Sequence, residues 1–117
     1  MEKKNYMFIF HSASYNGLSP DEVQKNMQKW FGWIEKLQKK GVYKGGEALE
    51  KTGKMLSHRN GKFVIDGPFA ESKELVGGYF IVEAGSLDEA VEMAKDYPDF
   101  SYDGKVEVRE VMVIPQP

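Results

Sequence analysis

The chain has 117 residues, 41% of them apolar and 13% aromatic, with 16 Lys and Arg against 18 Asp and Glu. That is one domain with its own core, and a formal charge of −2 speaks against a general nucleic-acid binder. Cysteine is absent, which excludes disulfides, thiolate metal sites and cysteine nucleophiles, and two histidines do not make a histidine-rich metal centre. No apolar run is long enough for a transmembrane helix, and Met1 to Asn5 lead straight into a strand-like run without a signal-peptide pattern. A cytoplasmic protein without membrane contact, metal or other cofactor is expected.

Tyr6 to Phe10 is a continuous apolar run and reads as a buried strand ending at His11. Ser19-Pro20-Asp21-Glu22 is a helix start: Ser19 caps, Pro20 suits the first helical position and Glu22 completes a capping box. Val23, Met27, Trp30, Ile34 and Leu37 follow as one apolar stripe, flanked by Phe31 and Trp33, and Lys39-Lys40-Gly41 is the stop. Val42 to Glu50 reads as a loop and a weaker strand. Met55 to Arg59 and Lys62 to Asp66 flank Asn60-Gly61, the strongest short hairpin signal, because both turn residues need positive φ. Phe69 to Val76 reads as a polar loop, and Tyr79 to Glu83 as another strand. Ser86 to Glu89 repeats the capping-box pattern. Leu87, Ala90, Val91 and Ala94 give a short helix that Pro98 stops, and Lys105 to Ile114 alternates as a last strand.

This order predicts one α+β domain over residues 1–117, a ferredoxin-like βαββαβ unit with an inserted β-hairpin after the first helix. Its two central strands are apolar on both faces, yet two helices cover only one. A second copy of the chain is the simplest cover for the other, giving a homodimer; the rival cover is the hairpin folding back. Charge is also uneven. Residues 21–62 carry ten Lys or Arg against five acids, and residues 63–104 carry ten acids against two Lys. Solvated helix faces explain that, and so does complementary docking between two copies.

The stretch Val64-Ile65-Asp66-Gly67-Pro68-Phe69-Ala70-Glu71-Ser72-Lys73-Glu74, with Gly77-Gly78-Tyr79-Phe80-Ile81-Val82 after it, resembles the signature of the YCII-related family. More narrowly it resembles the Asp-Gly-Pro-Phe (DGPF) branch. Tyr6 to Phe10 and Leu87 to Ala90 are similar to that branch's opening strand and second helix. The resemblance implies a ferredoxin-like monomer that pairs into a dimeric α+β barrel. Most members have no assigned reaction. The wider group implied by the resemblance includes a dehydrochlorinase of a hydroxylated aromatic ring and muconolactone isomerases, and DGPF members are often linked with extracytoplasmic-function sigma factors. One branch carries a catalytic-looking His–Asp pair. Here Trp30 stands at the His position, and the Asp position falls near Tyr97, beside Asp96, so that dyad does not carry over.

Asp66 is the leading candidate for chemistry, a strand-end carboxylate able to act as a base, although Asp before Gly-Pro also commonly fixes its own turn. Glu71 and Glu74 add carboxylates in the following loop, where simple solvation is the alternative. His11 lies on the side of its strand shared by Met7 and Ile9. If that side faces the helices, His11 sits near the Asp66 loop and shuttles protons; otherwise it is a hydrogen-bonded strand-end histidine. Trp30, Tyr79 and Phe69 are the aromatic candidates for gripping a small-molecule ligand, with plain core packing as the alternative. His58, beside the hairpin turn, reads as exposed. The functional expectation is a small-molecule binding or acid–base site between sheet and helices. Its competitor is a non-catalytic homodimeric module, and an RNA-binding sheet is disfavoured by the apolar face and negative charge.

Overall fold

The computed structural model describes residues 2–11, 13–67 and 75–117. Strands β1 (Lys4–His11), β2 (Tyr43–Ala48), β5 (Val76–Ala84) and β6 (Lys105–Glu110) form one antiparallel sheet in the order β2-β5-β1-β6. Counted among these four strands, the order is 4-1-3-2 from the β6 edge, that of a split βαβ unit. The doubly apolar strands β1 and β5 lie in the middle, as their composition requires.

Helix α1 (Pro20–Lys39) starts with the full capping box, Ser19 and Glu22 satisfying each other's backbone N–H groups. Such a cap contributes about 1 kcal/mol. Helix α2 (Leu87–Ala94) is capped by Ser86, but here Glu89 reaches back to the Gly85 N–H, one residue before the cap. Both helices lie on one face of the sheet. Tyr6, Phe8, Phe10, Phe80, Val82 and Ala84 point into that layer and meet Trp33, Leu37, Ala90, Ala94 and Tyr97. Phe8 stacks on Trp33 at 5.9 Å, and the Trp33 indole N–H donates to the Met93 carbonyl at 3.2 Å, so α1 is pinned to α2 as well as to the sheet.

The buried face of α1 differs from the apolar stripe. Asn26, Trp33 and Leu37 are buried with Trp30 and Ile34 partly so, whereas Val23 and Met27 are exposed. The inward line runs 26-30-33-37 and begins with a polar residue, which a search for apolar periodicity passes over. A 3-10 helix, Pro98–Tyr102, also follows α2, where the sequence pattern predicts only a stop at Pro98. The last strand ends at Glu110 instead of Ile114; Val111 still donates to the Asn5 carbonyl, and Met112 to Ile114 are exposed.

Strands β3 (Met55–Arg59) and β4 (Lys62–Asp66) pair only with each other, joined at Asn60 and Gly61 with φ of 50° and 75°. Every residue of this ladder is exposed, and among the described residues it packs closely on no other element. It therefore does not cover the sheet. The projection shows in a radius of gyration of 16.7 Å, against about 13 Å for a compact chain of this length.

The open face carries Met7, Ile9, Tyr79 and Ile81, all half-buried, with Glu83, Glu107 and Arg109 around them. At the β2–β5 edge the two backbones approach closely at Gly46: a Cβ there would run into the Tyr79 carbonyl oxygen and lie 2.6 Å from the Phe80 ring. Gly46→Ala is therefore expected to lower stability by about 1–3 kcal/mol, read as a lower urea midpoint at unchanged slope.

Candidate functional site

The 3-10 helix brings an acid inward. Asp99 is its second residue and is only 3% exposed. Its carboxylate meets three side-chain donors. Asn26 Nδ2 reaches Oδ1 at 2.7 Å, Trp30 Nε1 reaches the same oxygen at 3.1 Å, and the Tyr15 hydroxyl donates to Oδ2. Two of these donors lie one turn apart on the inward line of α1. The third is positioned by the loop after β1, where the Ser14 N–H donates to the Tyr102 carbonyl at 2.8 Å and Tyr15 packs edge-on against the Tyr102 ring. Burial of a lone carboxylate is costly, so this cluster holds together only because each donor is spent on it. The Asn26 Oδ1 is itself buried and has no donor among the described residues.

Asp99 lies at a cavity of about 450 Å³ between α1, the β2–β5 side of the sheet and the 3-10 helix. Six aromatic residues line it: Phe10, Tyr15, Trp30, Tyr43, Phe80 and Tyr97. Trp30 stands at 80°, 87° and 86° to the rings of Phe10, Phe80 and Tyr97, so the wall is a locked set of edge-to-face contacts. The exposed residues Glu47, Glu50 and Lys51 also line it. Three phenols titrate above their ordinary 10.0. Burial raises Tyr15 first, and the hydrogen bond to Asp99 and its charge raise it further; burial and the Asp99 charge raise Tyr97; burial and Glu47 raise Tyr43. The Tyr15 hydroxyl therefore keeps its proton and stays a donor to Asp99.

The structure separates the residues singled out in the sequence. Trp30 lines the cavity. His11 also lines it, but the His11 side points away from the helices: its Nε2 lies 3.1 Å from Glu107 on the open face, and only its backbone carbonyl meets Tyr97, at 3.5 Å. Tyr79 alternates with Phe80 and so belongs to the open face. Asp66 is exposed at the end of β4, outside the cavity, and is not brought to His11. Phe69, Glu71 and Glu74 lie outside the described residues. Asp99, Asn26 and Tyr15 escaped the sequence reading. The available signal was polar Asn26 on the inward line of α1, one turn before Trp30.

A model of the YCII-related domain matches residues 6–115. The chain belongs to the YCII-related family. Over 42 residues this YCII-related chain is also 48% identical to an uncharacterised protein of Rhizobium meliloti (strain 1021). That match covers 35% of this chain and 34% of the relative, so the chain spans about a third of the curated relative it matches. The carboxylate that Trp30 meets in this YCII-related protein is Asp99.

Removing the Tyr15 hydroxyl by Tyr15→Phe is expected to cost about 1–3 kcal/mol, since the Asp99 oxygen loses a donor. The variant also changes the alkaline limb. The folded phenol titrates above 10.0, so above that pH the unfolded chain gives up its proton first. The stabilisation is fully present below pH 10.0 and is lost as pH rises toward the folded value. Melting temperature measured from about pH 8 upward should fall more steeply in the parent than in Tyr15→Phe.

Proposed function

We propose that this YCII-related protein binds a small organic molecule in the aromatic cavity, with Asp99 as the anchoring carboxylate. The buried Asp99, met by donors from the loop after β1 and from α1 at an apolar cavity, is the observation that carries this reading. An ionised carboxylate offers about four lone-pair positions, and three are used by the protein. The remaining one suits a donor on the ligand. Trp30 supports binding over His-type chemistry, because an indole N–H donates and cannot accept. Asp66 keeps a place in the reading only as a contributor from the projecting ladder.

The test is a thermal-shift screen with hydroxylated aromatics, lactones, small carboxylic acids and amines on the parent, Asp99→Asn and Asp66→Asn. A ligand specific to the folded state raises the melting temperature. The expected result is a shift in the parent that survives in Asp66→Asn and disappears in Asp99→Asn. A shift lost only in Asp66→Asn overturns the assignment to Asp99.

The same domain is proposed to work as a homodimer, the DGPF-like pairing that the sequence resemblance implies. The open face supports this, and so does the ladder, where Leu56, Phe63 and Ile65 share one side and Phe63 is 70% exposed. An isolated two-stranded hairpin with an apolar side is marginal in water. Light scattering should give twice the mass of one chain, and Ile81→Asp on the open face should give the single-chain mass with its far-UV spectrum intact. A monomeric parent would overturn this pairing.

A further inference from the structure

We infer that the ligand of the cavity is an organic cation, an ammonium group carried on a flat or apolar body. This rests on the reading of the cavity as a small-molecule site and names its ligand class. Three observations converge on it. Asp99 is buried with three neutral donors, and among the described residues no Lys, Arg or His forms an ion pair with it. A buried carboxylate without a countercharge favours a ligand that brings one.

The second observation is the balance of charge around the cavity. Among the described residues three carboxylates line it, Asp99, Glu47 and Glu50, against one lysine, Lys51. Lys44, the basic neighbour in β2, is turned to Glu83 at 3.4 Å, and the His11 imidazole is turned to Glu107. An anionic ligand therefore meets repulsion on entry and a carboxylate at the end. The third is the wall itself. Six aromatic residues surround the space, and ring faces attract a cation through their quadrupole, most strongly at Trp. Tyr15 and Tyr97, both held protonated, do not compete as a source of negative charge.

Supply and demand of hydrogen bonds agree. Asp99, which lines the cavity, keeps an acceptor position beyond its three protein donors. An ammonium has three donors and no acceptor, which fits it. A carboxylate ligand has none to give.

The experiment uses three probes that share a para-hydroxyphenyl ring and differ in charge: tyramine, para-ethylphenol and para-hydroxyphenylpropionate. Binding to the full chain at neutral pH is followed by calorimetry and by tryptophan fluorescence. Tyramine is expected to bind at least tenfold more tightly than para-ethylphenol, with the propionate weakest. Asp99→Asn should erase the tyramine preference, lowering tyramine affinity at least tenfold. Because the probe series is run on the parent protein, it decides the matter even if Asp99→Asn does not fold. Equal binding of tyramine and para-ethylphenol, or tighter binding of the propionate, overturns the cation and leaves the cavity as a small-molecule site. No binding of any of the three, with unchanged fluorescence, overturns the cation and counts against the cavity as a site at all.

Discussion

Burying a carboxylate inside an aromatic layer is possible only if its oxygens are met, and at Asp99 this requirement shapes one end of the molecule. The donors come from the loop after β1 and from α1, while the acid comes from the 3-10 helix after α2. Satisfying it draws three distant parts of the chain together. It also explains why α1 turns polar Asn26 inward while Val23 and Met27 stay exposed. An apolar residue at position 26 would pack, but it would leave Asp99 short of a donor, and that deficit costs more than a missing hydrophobic contact of similar size returns. The cavity is the space this arrangement leaves beside Trp30 and Phe80.

A second constraint is that a sheet has two faces and two helices cover one. Alternation along β1 and β5 sends Phe8, Phe10 and Phe80 to the covered side, and Met7, Ile9, Tyr79 and His11 to the other. A one-residue change of parity separates a wall of the cavity from a residue of the open face. This is why Phe80 joins the cavity wall while Tyr79 does not, and why the His11 imidazole faces Glu107. It also sets two surfaces back to back: the aromatic cavity on the helix side and the apolar open face.

Local rules were legible from the chain because they involve neighbours in sequence. Ser19-Pro20-Asp21-Glu22 starts α1 where the cap requires it, and Asn60-Gly61 supplies the two positive φ values of its turn. The failures share a cause as well. The stripe on α1 was misplaced because its inward line includes a polar residue whose partner is 73 positions away. The strand reading of Val111 to Ile114 rested on alternation, yet only Val111 finds a partner backbone, at Asn5. Asp66 stands out because Asp-Gly-Pro is distinctive in sequence, whereas Pro98-Asp99-Phe100 carries no such mark.

The amino-acid sequence by itself determined the element order, the helix starts, the hairpin turn and the two doubly apolar strands, each a matter of periodicity or of side chains bonding the adjacent backbone. Membership of the YCII-related family was legible in the stretch from Val64 to Val82. Which acid is buried, which aromatic rings surround it and which face of β1 looks toward the helices were decided only by the tertiary structure. Those outcomes depend on contacts between residues far apart in the chain, and no local spacing records whether a carboxylate will find its three donors.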